Sequence, residues 1–196
     1  MVKVLDIIAQ EVGACRKCSL YRTRHNPVAG EGPSNAEIML VGEAPGSRED
    51  LLGRPFVGAA GKVLDVSLRS VGLDRSEVYI TNVLKCRPPG NRDPLPTEIE
   101  RCTLYLNRQI DVIKPRIICP LGNFATSHVL GRYGFKPKSI SRIHGRVFMA
   151  PGVRVIPMYH PAALIYDRSL GEKNVKDWKA VKDAYAQLPH RGDRLI

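Results

Sequence analysis

The chain has 196 residues, 43% hydrophobic and 25% charged, the make-up of a globular protein with room for one sizeable core. No apolar run approaches the ~18 residues that a membrane span needs, so no membrane partner is expected. Thirty Lys+Arg against nineteen Asp+Glu leave a net charge of +11, a surplus that favours a polyanionic partner because each neutralised phosphate releases a counterion.

The first segment, "MVKVLDIIAQEVGAC", carries Asp6 and Glu11 and no long apolar stretch. It reads as an amphipathic helix rather than a signal peptide, and the expected compartment is the cytoplasm. Four short apolar runs read as buried strands, at 37–42, 78–84, 116–122 and 153–160. Helical patterns lie between them. After the first strand, Val63, Leu64, Leu68 and Val71 fall on one face. After the second, Thr97 and Glu100 form a capping-box pattern behind Pro96. Ile99, Cys102, Leu106, Ile110 and Ile113 then recur at helical spacing until Pro115. A shorter helix is expected over 123–130 and a final one over about 174–187. The alternation predicts an α/β fold, a three-layer αβα sandwich around a mostly parallel four-stranded sheet. One domain is expected over 1–196, with 189–196 as a loose tail. Ligands of such sheets bind beyond the carboxyl ends of the strands. The loops there are "GEAPGSRED", "KCRPPGNRDP", "GNFAT" and "HPAALIYD". Three of these four carry polar or Gly/Pro chemistry beyond what a connection needs.

Five cysteines are present, Cys15, Cys18, Cys86, Cys102 and Cys119. Disulfides are not expected in the cytoplasm. Cys119 lies in an apolar strand, where packing is its expected role. The other four form C-x2-C, a 67-residue gap and C-x15-C. Four thiolates suit tetrahedral zinc or an iron–sulfur cluster, and spacing alone does not choose. Cys102 also fits an apolar helical stripe, where a free thiol behaves as a small hydrophobe.

The segment "VGEAPGSREDLLGRPFVGAAG" (41–61) is the most informative. Gly42, Ala44, Pro45 and Gly46 keep side chains small, so backbone N–H groups can approach a ligand. Glu43 and Glu49 add carboxylates, and Phe56 offers a ring for a flat ligand or for the core. The segment matches neither the dinucleotide fingerprint nor the P-loop.

"GEAPG", "GRPFVGAAG", "YITNVLKCRPP" and "HPAAL" together resemble the family 4 uracil-DNA glycosylases, the iron–sulfur members of their superfamily, over about residues 10–188. Glu43 and Gly46 fit this family better than the related family 5. The resemblance implies a monofunctional glycosylase that hydrolyses the bond between uracil and deoxyribose and leaves an abasic site for base excision repair. It implies a structural [4Fe–4S] cluster on Cys15, Cys18, Cys86 and Cys102. It places Gly42, Glu43 and Ala44 against uracil, Phe56 stacked on the flipped base, and Asn82 on the uracil edge. His160 would donate to uracil O2. Glu43 is the candidate to orient water, Glu49 the candidate to exclude thymine at C5, and Leu164 the candidate DNA wedge. His144 is the rival histidine, expected in a loop or short hairpin near the DNA. Basic residues flanking the cysteines, among them Arg24, Lys85 and Arg92, are candidates for a phosphate-binding face. The expected substrate is uracil in double- or single-stranded DNA, and the expected state a monomer, with repair or replication proteins as further partners.

Overall fold

Every residue of β1 (Ile38–Gly42) is buried, and successive side chains point to opposite faces. Met39 and Val41 enter one core, Ile38 and Leu40 the other. Such a strand needs a helical layer on each side, and that explains its unbroken apolar sequence. The structure, a computed structural model, describes residues 1–189. β2 (Val78–Asn82) and β3 (Ile117–Pro120) pair in parallel with β1, Gly42 lying level with Asn82. β5 (Val153–Val155) runs parallel to β3. β4 (Phe148–Ala150) closes the edge antiparallel to β5, giving the order β2-β1-β3-β5-β4.

One core packs the sheet against α1 (Val2–Ala14), α4 (Pro96–Ile113) and α5 (Asn123–Arg132) through Ile8, Val12, Leu106, Ile110, Val129 and Leu130. The other packs it against α3 (Ala59–Ser70) and α8 (Gly171–Ala186) through Leu64, Leu68, Trp178 and Val181. Cys119 is fully buried in this second core. Three short helices sit in the connections: α2 (Ser47–Leu52), α6 (Ile140–Ile143) and α7 (Pro161–Tyr166). No helix among the described residues is long and apolar enough to cross a membrane.

The αβα layering agrees with the sequence expectation, but the sheet has five strands rather than four. β4 escapes a pattern search because it is three residues long, partly exposed and on the edge. It joins β5 through Pro151 and Gly152, the latter at φ 76°. The strand expected over 153–160 ends at Val155, and only a single bridge from Met158 to Leu121 follows. The expected cap of α4 also shifts. Pro96, which lacks an N–H, takes the first helical position. Glu98, not Glu100, then reaches back to accept from the Leu95 N–H at 2.9 Å. The tail expected over 189–196 lies, from His190 onward, outside the described residues.

Candidate active site

The carboxyl ends of β1 and β2 and the start of α7 surround a cavity of about 350 Å³ lined by Glu43, Ala44, Phe56, Asn82 and His160. The parallel register makes this meeting unavoidable, because Gly42 and Asn82 end neighbouring strands at one level. Gly42 must lack a side chain here. A Cβ on it would lie 2.2 Å from Asn82 Oδ1 and 2.6 Å from the Phe56 ring. The glycine therefore brings the amide and the ring together.

Phe56 is 6% exposed and holds a left-handed backbone at φ 50°, a conformation that a bulky residue adopts only under constraint. Two groups supply it. Arg75 donates from Nη1 to the Phe56 carbonyl at 3.0 Å and from Nη2 to the Pro55 carbonyl. Glu49 Oε1 accepts from the N–H groups of Val57 at 2.9 Å and Gly58 at 2.8 Å. Glu49 also lines the cavity, so the expected thymine-excluding carboxylate doubles as the anchor of the Phe56 loop.

Asn82 ends β2, and its Oδ1 is buried with no hydrogen-bond partner among the described residues. Leaving such an acceptor unpaired costs about 1–3 kcal/mol. A ligand donor in the cavity would relieve it. His160 caps α7, accepting from the Ala162 N–H at Nδ1 over 3.2 Å. An accepting Nδ1 places the ring proton on Nε2. Burial pushes the His160 pKa down to about 4, with Glu49 opposing. The ring is thus neutral at physiological pH and has one N–H to donate. It lies 5.7 Å from the Phe56 ring. Glu43 is pushed up to about 7, first by burial and then by repulsion from Asp93.

The cavity also takes in residues that sequence reasoning did not place there. Asn91 and Arg92, from the "KCRPPGNRDP" loop, form one wall, and Arg92 is held by Glu98 through bonds of 2.9 and 2.6 Å. Tyr166, 89% exposed, stands at the mouth. Leu164, the expected wedge, is half-buried on the same helix as Tyr166. His144 lies, as expected, outside the regular elements, in the turn between α6 and β4. It caps the short α6 and binds Asp177 through Nδ1 at 2.8–2.9 Å.

On the other side of the Asn82–Cys86 segment, Cys15, Cys18, Cys86 and Cys102 line a second cavity with Val12, Leu20 and Tyr105. Among the described residues, no group of three or more His, Cys, Asp or Glu could hold one metal ion directly. The thiols surround a space rather than a point. Burial pushes Cys102 up to about 12 as a free thiol, a cost that metal ligation removes by displacing the proton. Two sulfurs already have N–H donors. Arg24 Nη1 lies 3.1 Å from Cys86 Sγ and the Lys85 N–H 3.2 Å from Cys102 Sγ, as suits thiolates bound to metal.

The basic face expected around these cysteines is smaller than its residue count. Arg24 is turned inward onto the Val12 and Gly13 carbonyls, and Arg92 is paired with Glu98. Lys85 is fully buried, and burial pushes it down to about 7 with Cys102 opposing. Neighbouring positions in the sequence do not imply a shared surface.

A sequence profile of the Uracil DNA glycosylase superfamily matches residues 29–186. A type-4 uracil-DNA glycosylase of Archaeoglobus fulgidus is 50% identical over 90% of this chain and 91% of its own. Another, from Saccharolobus solfataricus, is 45% identical over 98% and 91%. A third, from Sulfurisphaera tokodaii, is 46% identical over 91% and 84%. With the family profile and these relatives spanning most of its length, the chain belongs to the type-4 branch of the uracil DNA glycosylase superfamily.

Proposed function

We propose that the protein flips uracil out of DNA into the Phe56–Asn82–His160 cavity and hydrolyses its N-glycosidic bond, leaving an abasic site. The observation that carries this reading is the buried Oδ1 of Asn82, a residue that lines the cavity, left without a hydrogen-bond partner among the described residues. Uracil offers an N3–H donor to that oxygen and an O4 acceptor to the amide NH₂. Cytosine presents the reverse pattern and leaves both groups of the amide frustrated. Phe56 stacks on the base, an interaction worth about 1–3 kcal/mol, against a flipping cost of a few kcal/mol.

In the reaction the C1′–N1 bond breaks and its electron pair goes to the base. Negative charge gathers on uracil O2, where the Nε2–H of neutral His160 donates. A neutral donor suits this task, since it stabilises the anion without needing a proton from solvent. Water adds to the electrophilic C1′ and loses a proton. Glu43, ionised above a pKa of about 7, accepts from that water and orients it. Lys85 is enclosed by its acceptors and no lysine lines the cavity, which favours a monofunctional hydrolase over a Schiff-base lyase.

Cys15, Cys18, Cys86 and Cys102 would hold a [4Fe–4S] cluster, and four thiols around a space with N–H···S donors at two of them fit that group. When bound, it supplies a cross-link between the N-terminal segment, the loop after β2 and α4. An oligonucleotide with one uracil, treated with iron-loaded protein and then alkali, is expected to break at the uracil. An intact strand would overturn the reading. Purified protein holding zinc and no iron would overturn the cluster assignment alone.

A further inference from the structure

Lys85 lines the thiol cavity, is 1% exposed and has no carboxylate partner among the described residues. Its Nζ donates to Thr81 Oγ1 at 2.6 Å, to the Asn82 carbonyl at 2.8 Å and to Gln109 Oε1 at 2.7 Å. Three acceptors match the three N–H bonds of an ammonium. The acceptors are themselves fixed. Gln109 donates through Nε2 to the Ala29 carbonyl at 2.7 Å and to the Tyr79 hydroxyl at 3.2 Å. Thr81 donates to the Ala29 carbonyl at 3.0 Å. The Lys85 main-chain N–H meanwhile donates to Cys102 Sγ at 3.2 Å.

One residue thus grips a cluster thiol with its backbone and the base-reading residue with its side chain. Stability alone is a poor reason for this arrangement. Burying a cation among neutral acceptors is unfavourable, and apolar residues of similar volume in such places are often neutral or stabilising. Asn82 has a different need. Its Oδ1 has no protein partner to hold it, so the angle of the amide depends on where its main chain is held. The only Nζ contact to that main chain is the bond to its carbonyl.

We propose that Lys85 is a positioning residue that fixes the Asn82 main chain relative to the Cys102 thiol, so that the geometry of the thiol site sets the angle at which the Asn82 amide meets the base. The proposal rests on the uracil-excising reading above. It gives the thiol site a part in base recognition without any contact to DNA.

The test compares wild-type protein with Lys85→Met at matched iron content, in single-turnover excision from a uracil oligonucleotide. The wild-type rate is the control. If wild type excises nothing, the glycosylase reading fails first and this one with it. Lys85→Met is expected to lose about 10- to 100-fold in rate, the scale of a small misplacement of a reacting group. Half-saturation by DNA should stay within about twofold because Lys85 is shielded from solvent. Inhibition by free uracil should weaken in parallel with the rate. The melting temperature should hold or rise. A variant that melts earlier but excises at the wild-type rate, with unchanged uracil inhibition, would make Lys85 merely structural and overturn the proposal. Should Lys85→Met not fold, Thr81→Val removes one acceptor at nearly constant volume. A loss of about tenfold, with weaker uracil inhibition, is then expected, the scale of one hydrogen bond from a charged donor. Wild-type rate and inhibition in Thr81→Val would overturn it.

Discussion

The thiol cavity draws on residues far apart in sequence and closes over them with Val12, Leu20 and Tyr105. The base cavity draws on strand ends that the sheet places side by side, and it stays open, with Tyr166 at its mouth. In the first, polar hydrogens are already spent on sulfur, from Arg24 and Lys85. In the second, a buried oxygen of Asn82 is left over. A site that holds structure together satisfies its own groups, whereas a site that reads a ligand keeps one unsatisfied until the ligand arrives. The segment Asn82–Cys86 contributes residues to both cavities, Asn82 to one and Lys85 and Cys86 to the other.

The comparison predicts separable failures. The largest is expected for Cys102→Ala. Removing the proposed ligand that would tie α4 to the N-terminal segment should abolish iron binding and lower the melting point sharply, since the free energy of binding a structural metal is folding free energy. Cys119→Ala is its control. Cys119 sits in the other core, so only lost packing is expected, about 1–2 kcal/mol, with iron retained. Iron analysis and thermal unfolding of the two variants check the contrast. Equal iron loss in both would dissolve the distinction between the thiols.

His160→Ala should fail in the opposite manner, keeping iron and melting point while losing about 10²–10³ in rate, as other anion-stabilising donors do. The smallest effect concerns pH. Glu43 has its folded pKa raised from 4.5 to about 7, so its carboxylate form becomes available only as pH rises through about 7. Excision should climb over that range, and Glu43→Gln should flatten the climb. The linked stability effect has a fixed sign. A raised folded pKa favours the folded state below about 4.5, and that contribution is lost as pH rises through about 7. Glu43→Gln should therefore melt higher than wild type at pH 8, and the gap should close toward pH 5. Because His160 titrates at about 4, its protonation does not shape the profile near neutrality.

The sheet was legible because β1 and β3 are continuous apolar runs and β2 opens on one, and a two-sided layered fold buries such runs. Asn82 stood out as the polar residue that ends β2, and His160 as the polar residue that ends the 153–160 run. β4 was not, because three half-exposed residues carry no period. The role of Lys85 was hidden for another reason. Lysine is among the residues least often buried, so a basic neighbourhood reads as surface until Gln109, Thr81 and the Asn82 carbonyl are seen around it. Arg75 was hidden likewise, since 19 residues separate it from the Phe56 carbonyl that it grips.

The central claim is that the Asn82 amide reads the base, and single-turnover excision by Asn82→Ala at matched iron content tests it most directly. The rate of uracil release should fall by about 10² or more, with iron absorbance unchanged. A wild-type rate in the iron-loaded variant would contradict it.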